Sequence, residues 1–304
     1  MQSKPGLRIA ALVFSVAVLA PRAADAFCRT STCDSGTGAL CEPAQANDCG
    51  TPLAWASGCL GYSLQQDGSS LSNLTLQQAE AVFAQAFAAW TQADCADGGS
   101  PALRVDYQGS VECGTHEFNQ EEGYGNANII VFKDTGWPHG DNGRVLALTT
   151  VTYDLANGQI YDADMELNSE HVVADGAQFT IGDANVQFDL LSIATHEAGH
   201  FVGISHSANK DATMFADYIP GSTDLRSLSD DDIAGVCDAY PPGEVAADCD
   251  ATPHGGLATA CNSPPGSSCC TVAPGAPQGG GEALLALALG FMALGARRRD
   301  ARGG

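Results

Sequence analysis

The stretch His196-Glu197-Ala198-Gly199-His200-Phe201-Val202-Gly203-Ile204-Ser205-His206 reads H-E-x-x-H-x-x-G-x-x-H. On a helix, His196 and His200 leave from one face, one turn apart. That is the spacing two ligands of one zinc ion need. Glu197 stands beside the first ligand, within reach of a water at the metal, as a general base. A third ligand on the same helix would have to point along its axis. Gly203 removes that difficulty, because glycine adopts positive φ, ends the helix and turns the chain back. His206 then reaches the same ion. Three neutral nitrogens leave a fourth position for water, the open geometry of a catalytic rather than a structural zinc. The bland alternative is a helix with chance histidines. A bare H-E-x-x-H is open to it, but five fixed positions in eleven are not easily coincidental. The helix is predicted to start at Asp189, an N-cap candidate, and to run through Leu190, Leu191, Ile193 and Ala194 into the histidines.

Beyond His206 the chain continues Ser207-Ala208-Asn209-Lys210-Asp211-Ala212-Thr213-Met214-Phe215. The eleven-residue pattern with a later methionine is similar to the signature of metzincin zinc proteases. Ser207 directly after the third histidine resembles the matrixin, or matrix metalloproteinase-like, branch; astacin-like and reprolysin-like branches usually carry an acidic residue there. The resemblance implies zinc ligands His196, His200 and His206, general base Glu197, and Met214 as a packing floor beneath the metal. It implies Phe215 and Tyr218 on the substrate-binding side, with Ala216 where matrixins often have proline. It also implies an α+β, zincin-like catalytic domain: a twisted mixed sheet, mostly parallel, an edge strand over the cleft, an active-site helix and a C-terminal helix.

The upstream chain agrees. Cys59 to Leu64 alternates like a first strand. Thr75 with Gln78 makes a capping-box signal, and Ala79, Phe83, Ala86, Phe87 and Trp90 follow at helical spacing, a stripe that reads as core. Leu103 to Tyr107 reads as a second strand, Asn128 to Phe132 as a third and Leu146 to Thr152 as a fourth. By resemblance the fourth is the edge strand above the cleft, so Ala147 and Leu148 are candidate substrate contacts. Such an edge offers N–H and C=O groups to an extended peptide. Asn157-Gly158 marks a hairpin turn. In the next strand Asp162, Asp164 and Glu166 alternate with apolar residues and project from one face. That face reads either as a calcium site of hard oxygen ligands, as in matrixins near this point, or as a solvated strand face. Matrixins commonly carry a second, structural zinc with several histidines here. This chain offers His139 with Asp141 and then no histidine until His171, and a lone His-x-Asp is more often an ordinary loop pair. One zinc is therefore expected, not two. Ser229 and Asp232 cap a last helix that closes at Tyr240-Pro241-Pro242.

The formal net charge is −23, from 36 acidic and 13 basic residues among 304. Phosphate backbones and anionic membrane surfaces repel such a chain, which excludes a nucleic-acid role. Lys4 and Arg8, the apolar run Ile9 to Ala20 and Ala24-Asp25-Ala26 read as a signal peptide over 1–26, with Phe27 the first mature residue; the alternative is an N-terminal membrane anchor. All 12 cysteines follow that site. With no C-x-x-C pair they read as disulfides of an exported protein, in a pairing the sequence leaves open. Residues 27–50 form a Cys-rich segment too short for an independently folded propeptide, and it lacks the matrixin-style cysteine-switch motif. The resemblance covers 51–241. Residues 242–278 read as a Cys/Pro/Gly-rich linker. Residues 279–304, with the apolar run Ala283 to Ala296 before Arg297-Arg298-Arg299, read as a hydrophobic helix with an Arg-rich end. Together they resemble the myxobacterial C-terminal sorting tail; the alternative is a non-functional extension.

The reading is an exported, extracellular or cell-surface zinc metalloendopeptidase, a monomer acting on protein or peptide substrates. Its cofactor is one catalytic Zn2+, with Ca2+ the open question. Only the tail would touch the membrane, as a transient anchor. The alternative of another class is a surface adhesin or binding module on an inactive protease scaffold, though such a scaffold usually loses its base first. A structural zinc protein is disfavoured because no fourth side-chain ligand is evident.

Overall fold

Strand β1 (Cys59–Gln65) and helix α1 (Leu76–Thr91) open the catalytic domain. The helix starts where its cap dictates: the Gln78 N–H donates to the Thr75 hydroxyl, and the Thr75 N–H donates to the Gln78 side-chain oxygen. The chain then forms β2 (Arg104–Val111), β3 (Ile129–Phe132), β4 (Val145–Asp154), β5 (Ile160–Leu167) and the short helix α2 (Ser169–Ala174). Two-residue strands β6 (Phe179–Thr180) and β7 (Phe188–Asp189) pair with each other and lead into α3 (Leu190–Phe201). Helix α4 (Asp230–Ala239) and strand β8 (Glu282–Gly290) follow. The computed structural model describes residues 27–32, 50–121, 124–139, 145–174, 176–261 and 282–290.

The main sheet has the order β2-β1-β3-β5-β4-β8. Strands β2, β1, β3 and β5 are parallel neighbours, which require crossover connections, and α1 supplies the one between β1 and β2. Strand β4 runs antiparallel to β5, and Gly158 of the intervening turn has φ +74°. The α+β class and mixed sheet are those expected, but β4, expected at the edge of the sheet, lies between β5 and β8.

The apolar stripe of α1 is core, as its spacing predicts: Phe83, Phe87 and Trp90 are buried. Each such side chain contributes about 1.5–3 kcal/mol on leaving water. Helix α1 packs on α3, with Phe87 edge-on to Phe201 at 5.3 Å. The Trp90 indole N–H donates to the Thr195 carbonyl at 2.8 Å, and the Trp55 indole N–H to the Phe201 carbonyl at 2.8 Å. Two aromatic anchors therefore hold the backbone of α3 in the turns that carry the histidines.

Disulfides close long loops: Cys59–Cys249, Cys95–Cys237 and Cys113–Cys261. Two of them correct the reading of a linker from 242. Cys249 and Cys261 tie that stretch to β1 and to the segment after β2. The Asn126 N–H donates to the Gly256 carbonyl, the Ala258 N–H to the Asn126 carbonyl and the Glu112 N–H to the Thr259 carbonyl. Residues up to 261 thus belong to the folded unit; Gly and Pro content reported turns there, not a tether. The described N-terminal residues also join it. Arg29 bridges Ile204, the Ser205 N–H donates to the Cys28 carbonyl, and the Arg29 guanidinium reaches Asp238 at 3.2 Å.

A second correction concerns the tail. The apolar run expected to be a helix is a strand over Glu282–Gly290, because the edge of β4 supplies the backbone partners that an isolated short helix would have to find within itself. Among the described residues, no helix is long and apolar enough to cross a membrane. The signal-peptide reading of 1–26 and the arginines at 297–299 lie outside the described residues.

Candidate active site

Helix α3 begins at Asp189, whose carboxylate accepts the Ser192 N–H, as an N-cap should. The same carboxylate takes Arg226 in a two-pronged contact, at 2.8 and 2.6 Å. One turn apart near the other end stand His196 and His200. The helix stops at Val202, and Gly203 has φ +92°. A side chain there would also sit 2.7 Å from the Leu53 carbonyl oxygen. The turn brings His206 back, and the three ring centroids lie 4.8, 5.3 and 4.7 Å apart. One ring nitrogen from each lies within 4.8 Å of the others.

The second nitrogens explain the first. His196 Nδ1 donates to the Thr213 carbonyl at 2.7 Å and His200 Nδ1 to the Ile204 carbonyl at 2.9 Å. With Nδ1 carrying the proton, Nε2 presents a lone pair inward. Burial, reinforced by the charge of His206, pushes His196 down to about 3; burial and both other histidines push His200 well below its ordinary value. The His196 and His200 rings are therefore neutral near pH 7, the state a metal ligand needs. His196 Nε2 is buried without a hydrogen-bond partner. A buried polar atom costs stability unless something satisfies it. Three convergent imidazoles fit a zinc ion on that count and by donor chemistry.

Glu197 is fully buried beside the triad, and the Thr149 hydroxyl of β4 donates to its Oε2 at 2.7 Å. Thr149 is a residue that sequence reasoning missed, since nothing in the pattern of β4 distinguishes it from Thr150 or Thr152. Gly199 was also missed. A Cβ there would meet Met214 Sδ at 2.3 Å and the Trp90 ring at 2.6 Å, so the methionine floor and α1 press against bare helix backbone. Helix α4 holds the loop carrying Met214: the Asp232 carboxylate accepts the Thr213 and Met214 N–H groups, and the Ser207 hydroxyl donates to Asp231. The expected capping pair of Ser229 and Asp232 is present, and Asp232 has this further task. Its burial raises the carboxyl above its ordinary value against the bonds from Ser229, Met214 and Thr213.

The other candidates separate. Ala147 and Leu148 are buried on β4, next to Thr149, and Phe215 is half-buried. Tyr218 is buried, with its hydroxyl donating to the Ser222 carbonyl and accepting the Asp189 N–H. It braces the start of α3. Asp162, Asp164 and Glu166 are all buried, which overturns the solvated-face reading; Glu117 and His116 from before β3 and His139 from after it reach Asp164 and Glu166. Asp164 accepts the Ile129 and Glu117 N–H groups, and burial pushes it up to about 7. Burial and the adjacent Asp164 hold Asp162 well above the carboxylate range.

Glu166 differs. His139 Nε2 lies 2.5 Å and His116 Nδ1 3.1 Å from its Oε2, with Lys133 Nζ 3.2 Å from Oε1. Burial alone would raise Glu166, but the two histidines and Lys133 outweigh it and hold the carboxyl well below the usual range. His139 was expected to stand alone with Asp141. The fold brings in His116 from a segment 50 residues before Glu166 in sequence, a pairing no local spacing announces. Asp141 lies outside the described residues.

A zinc-binding helix closed by a glycine, a third histidine from the return turn and a methionine floor, under a mixed sheet, define a metzincin-type α+β domain. The matrixin model of peptidase family M10 matches residues 54–241, and the chain belongs to that family. It is 27% identical over 194 residues to metalloendoproteinase 1-MMP of Arabidopsis thaliana, covering 62% of this chain and 44% of that protein. It is 31% identical over 121 residues to matrilysin of Rattus norvegicus, covering 38% and 41%. Over 53 residues it is 42% identical to matrix metalloproteinase-27 of Homo sapiens, covering 17% and 10%. The chain spans less than half the length of each of these relatives.

Proposed function

We propose that this chain is an exported zinc metalloendopeptidase that hydrolyses peptide bonds in proteins. The observation that carries the reading is the buried Glu197 carboxylate, aimed by Thr149 beside three convergent imidazoles, two of which, His196 and His200, burial keeps neutral. His196, His200 and His206 would hold the zinc. When bound, zinc supplies Lewis acidity to the scissile carbonyl and makes water a stronger acid.

The chain's own residues do the rest. Thr213 and Ile204 carbonyls fix the histidine tautomers. Thr149 fixes the rotation of Glu197. Glu197 takes a proton from the attacking water, holds it on its carboxyl and delivers it to the leaving amine. The backbone edge of β4, once free of its pairing with β8, would align the substrate as an added strand. Export is supported by three disulfides, which persist in oxidising compartments. Surface attachment and a monomeric state belong to the same proposal. Calcium at the acidic strand would fall to Asp162, since Asp164 and Glu166 have their oxygens engaged.

Glu197→Ala should retain zinc, measured by elemental analysis, and lose peptide cleavage by roughly 10²–10⁴-fold or more. Undiminished cleavage by that variant would remove Glu197 from the chemistry. Failure of the zinc-loaded parent on a broad peptide library would favour the adhesin alternative, whose partner binding should not depend on Glu197.

A further inference from the structure

Strand β4 has β5 on one side and β8 on the other. The β4–β8 pairing is antiparallel and runs from Val145↔Gly290 to Asp154↔Glu282, nearly the whole length of β4, with one irregularity between Val145 and Ala147. At its centre Thr149 faces Leu287, and Thr149 is the residue whose hydroxyl grips Glu197. The backbone of β8 therefore passes one inter-strand spacing, about 4.8 Å, from the strand that positions the catalytic carboxylate. It also lies alongside α3, the helix of His196 and His200.

We propose that residues 282–290 are a built-in occupant of the substrate edge, an autoinhibitory strand that an incoming peptide must displace. The inference rests on the protease reading. Without β8, β4 would be the edge of the sheet, and its N–H and C=O groups would face the cleft rim ready for an extended peptide. β8 engages those same groups. Its sequence, Glu-Ala-Leu-Leu-Ala-Leu-Ala-Leu-Gly, has one charge and no proline, which suits it to strand addition. A tethered strand competes at an effective concentration up to the millimolar range, well above ordinary peptide concentrations. The chain lacks the cysteine-switch motif, and β8 supplies a cover from the opposite end of the sequence.

The test uses the full chain with Leu285→Pro and Ala286→Pro together. Adjacent residues alternate the edge their N–H faces, so the pair removes at least one donor to β4 in either phase. Two quantities are read: kcat/KM on a quenched-fluorescent peptide pool, and amide exchange along Val145–Asp154. The double variant should show kcat/KM at least about tenfold higher, carried by KM with kcat nearly unchanged, and faster exchange in β4. Unchanged kcat/KM overturns the proposal, whether or not exchange accelerates, since a seated strand that does not restrain activity is not inhibitory. If neither chain cleaves anything, the protease reading has failed instead. Amide exchange alone then decides whether β8 sits on β4, and unchanged exchange overturns the pairing itself.

Discussion

Two histidine clusters sit on the same domain and differ in almost every respect that matters chemically. Around α3, His196, His200 and His206 come from eleven consecutive residues, and His196 and His200 each donate Nδ1–H to a backbone carbonyl. Burial is the largest influence on His196 and His200 and drives both towards the neutral form. At β5, His116 and His139 converge on Glu166 from separate loops, with Lys133 beside them. There the hydrogen bond to the carboxylate raises His116 against the effect of burial. The same side chain is fitted to be a ligand in one setting and to pair with a carboxylate in the other. What decides is the company: carbonyl acceptors on Nδ1 leave a lone pair free at Nε2, whereas a buried carboxylate invites a proton.

The sharpest way to break this contrast is at the metal. His200→Ala should lose zinc and peptide cleavage together, because two protein ligands do not hold a catalytic zinc as three do. Elemental analysis after dialysis against a weak chelator should find one zinc per parent chain and none in the variant. A second equivalent in the parent, lost on changing Glu166, would move the β5 cluster into the metal class.

Glu166→Ala should leave the first zinc in place and act on stability. Removing one partner of a buried charged network strands His116 and Lys133, at a cost of roughly 3–5 kcal/mol. Urea unfolding measures it. A loss below about 1 kcal/mol would mean that the cluster is solvated in solution and contributes little.

Asp162→Asn should have the smallest effect, and its sign depends on pH. Asp162 and Asp164 have folded pKa values above their unfolded ones, so their contribution is fully present below the ordinary aspartate value of 3.8 and is lost as pH rises towards about 7 at Asp164. An amide at 162 cannot ionise. Its melting temperature relative to the parent should therefore be higher at pH 7 than at pH 4 in the presence of a chelator. The opposite order in calcium would show a cation satisfying the pair.

The sequence by itself determined whatever depends on short-range periodicity. Ligands four apart on a helix, a glycine that must take positive φ, the Thr75 and Ser229 caps and the apolar stripe of α1 are all local, because backbone geometry sets their spacing. The convergence of His196, His200 and His206 was legible for that reason. Only the tertiary structure decided the contacts made by residues far apart. Disulfide pairing, Thr149 on Glu197, Asp232 on the Met214 loop, His116 at Glu166 and the cover over the acidic face each join segments with no fixed sequence interval. Segment state was also decided there. Glycine and proline up to 261 mark turns once disulfides anchor them, and an apolar run of ambiguous period becomes strand β8 because β4 offers an unpaired edge. A residue's neighbours along the chain limit its backbone, but its neighbours in space set its protonation, its partners and its use.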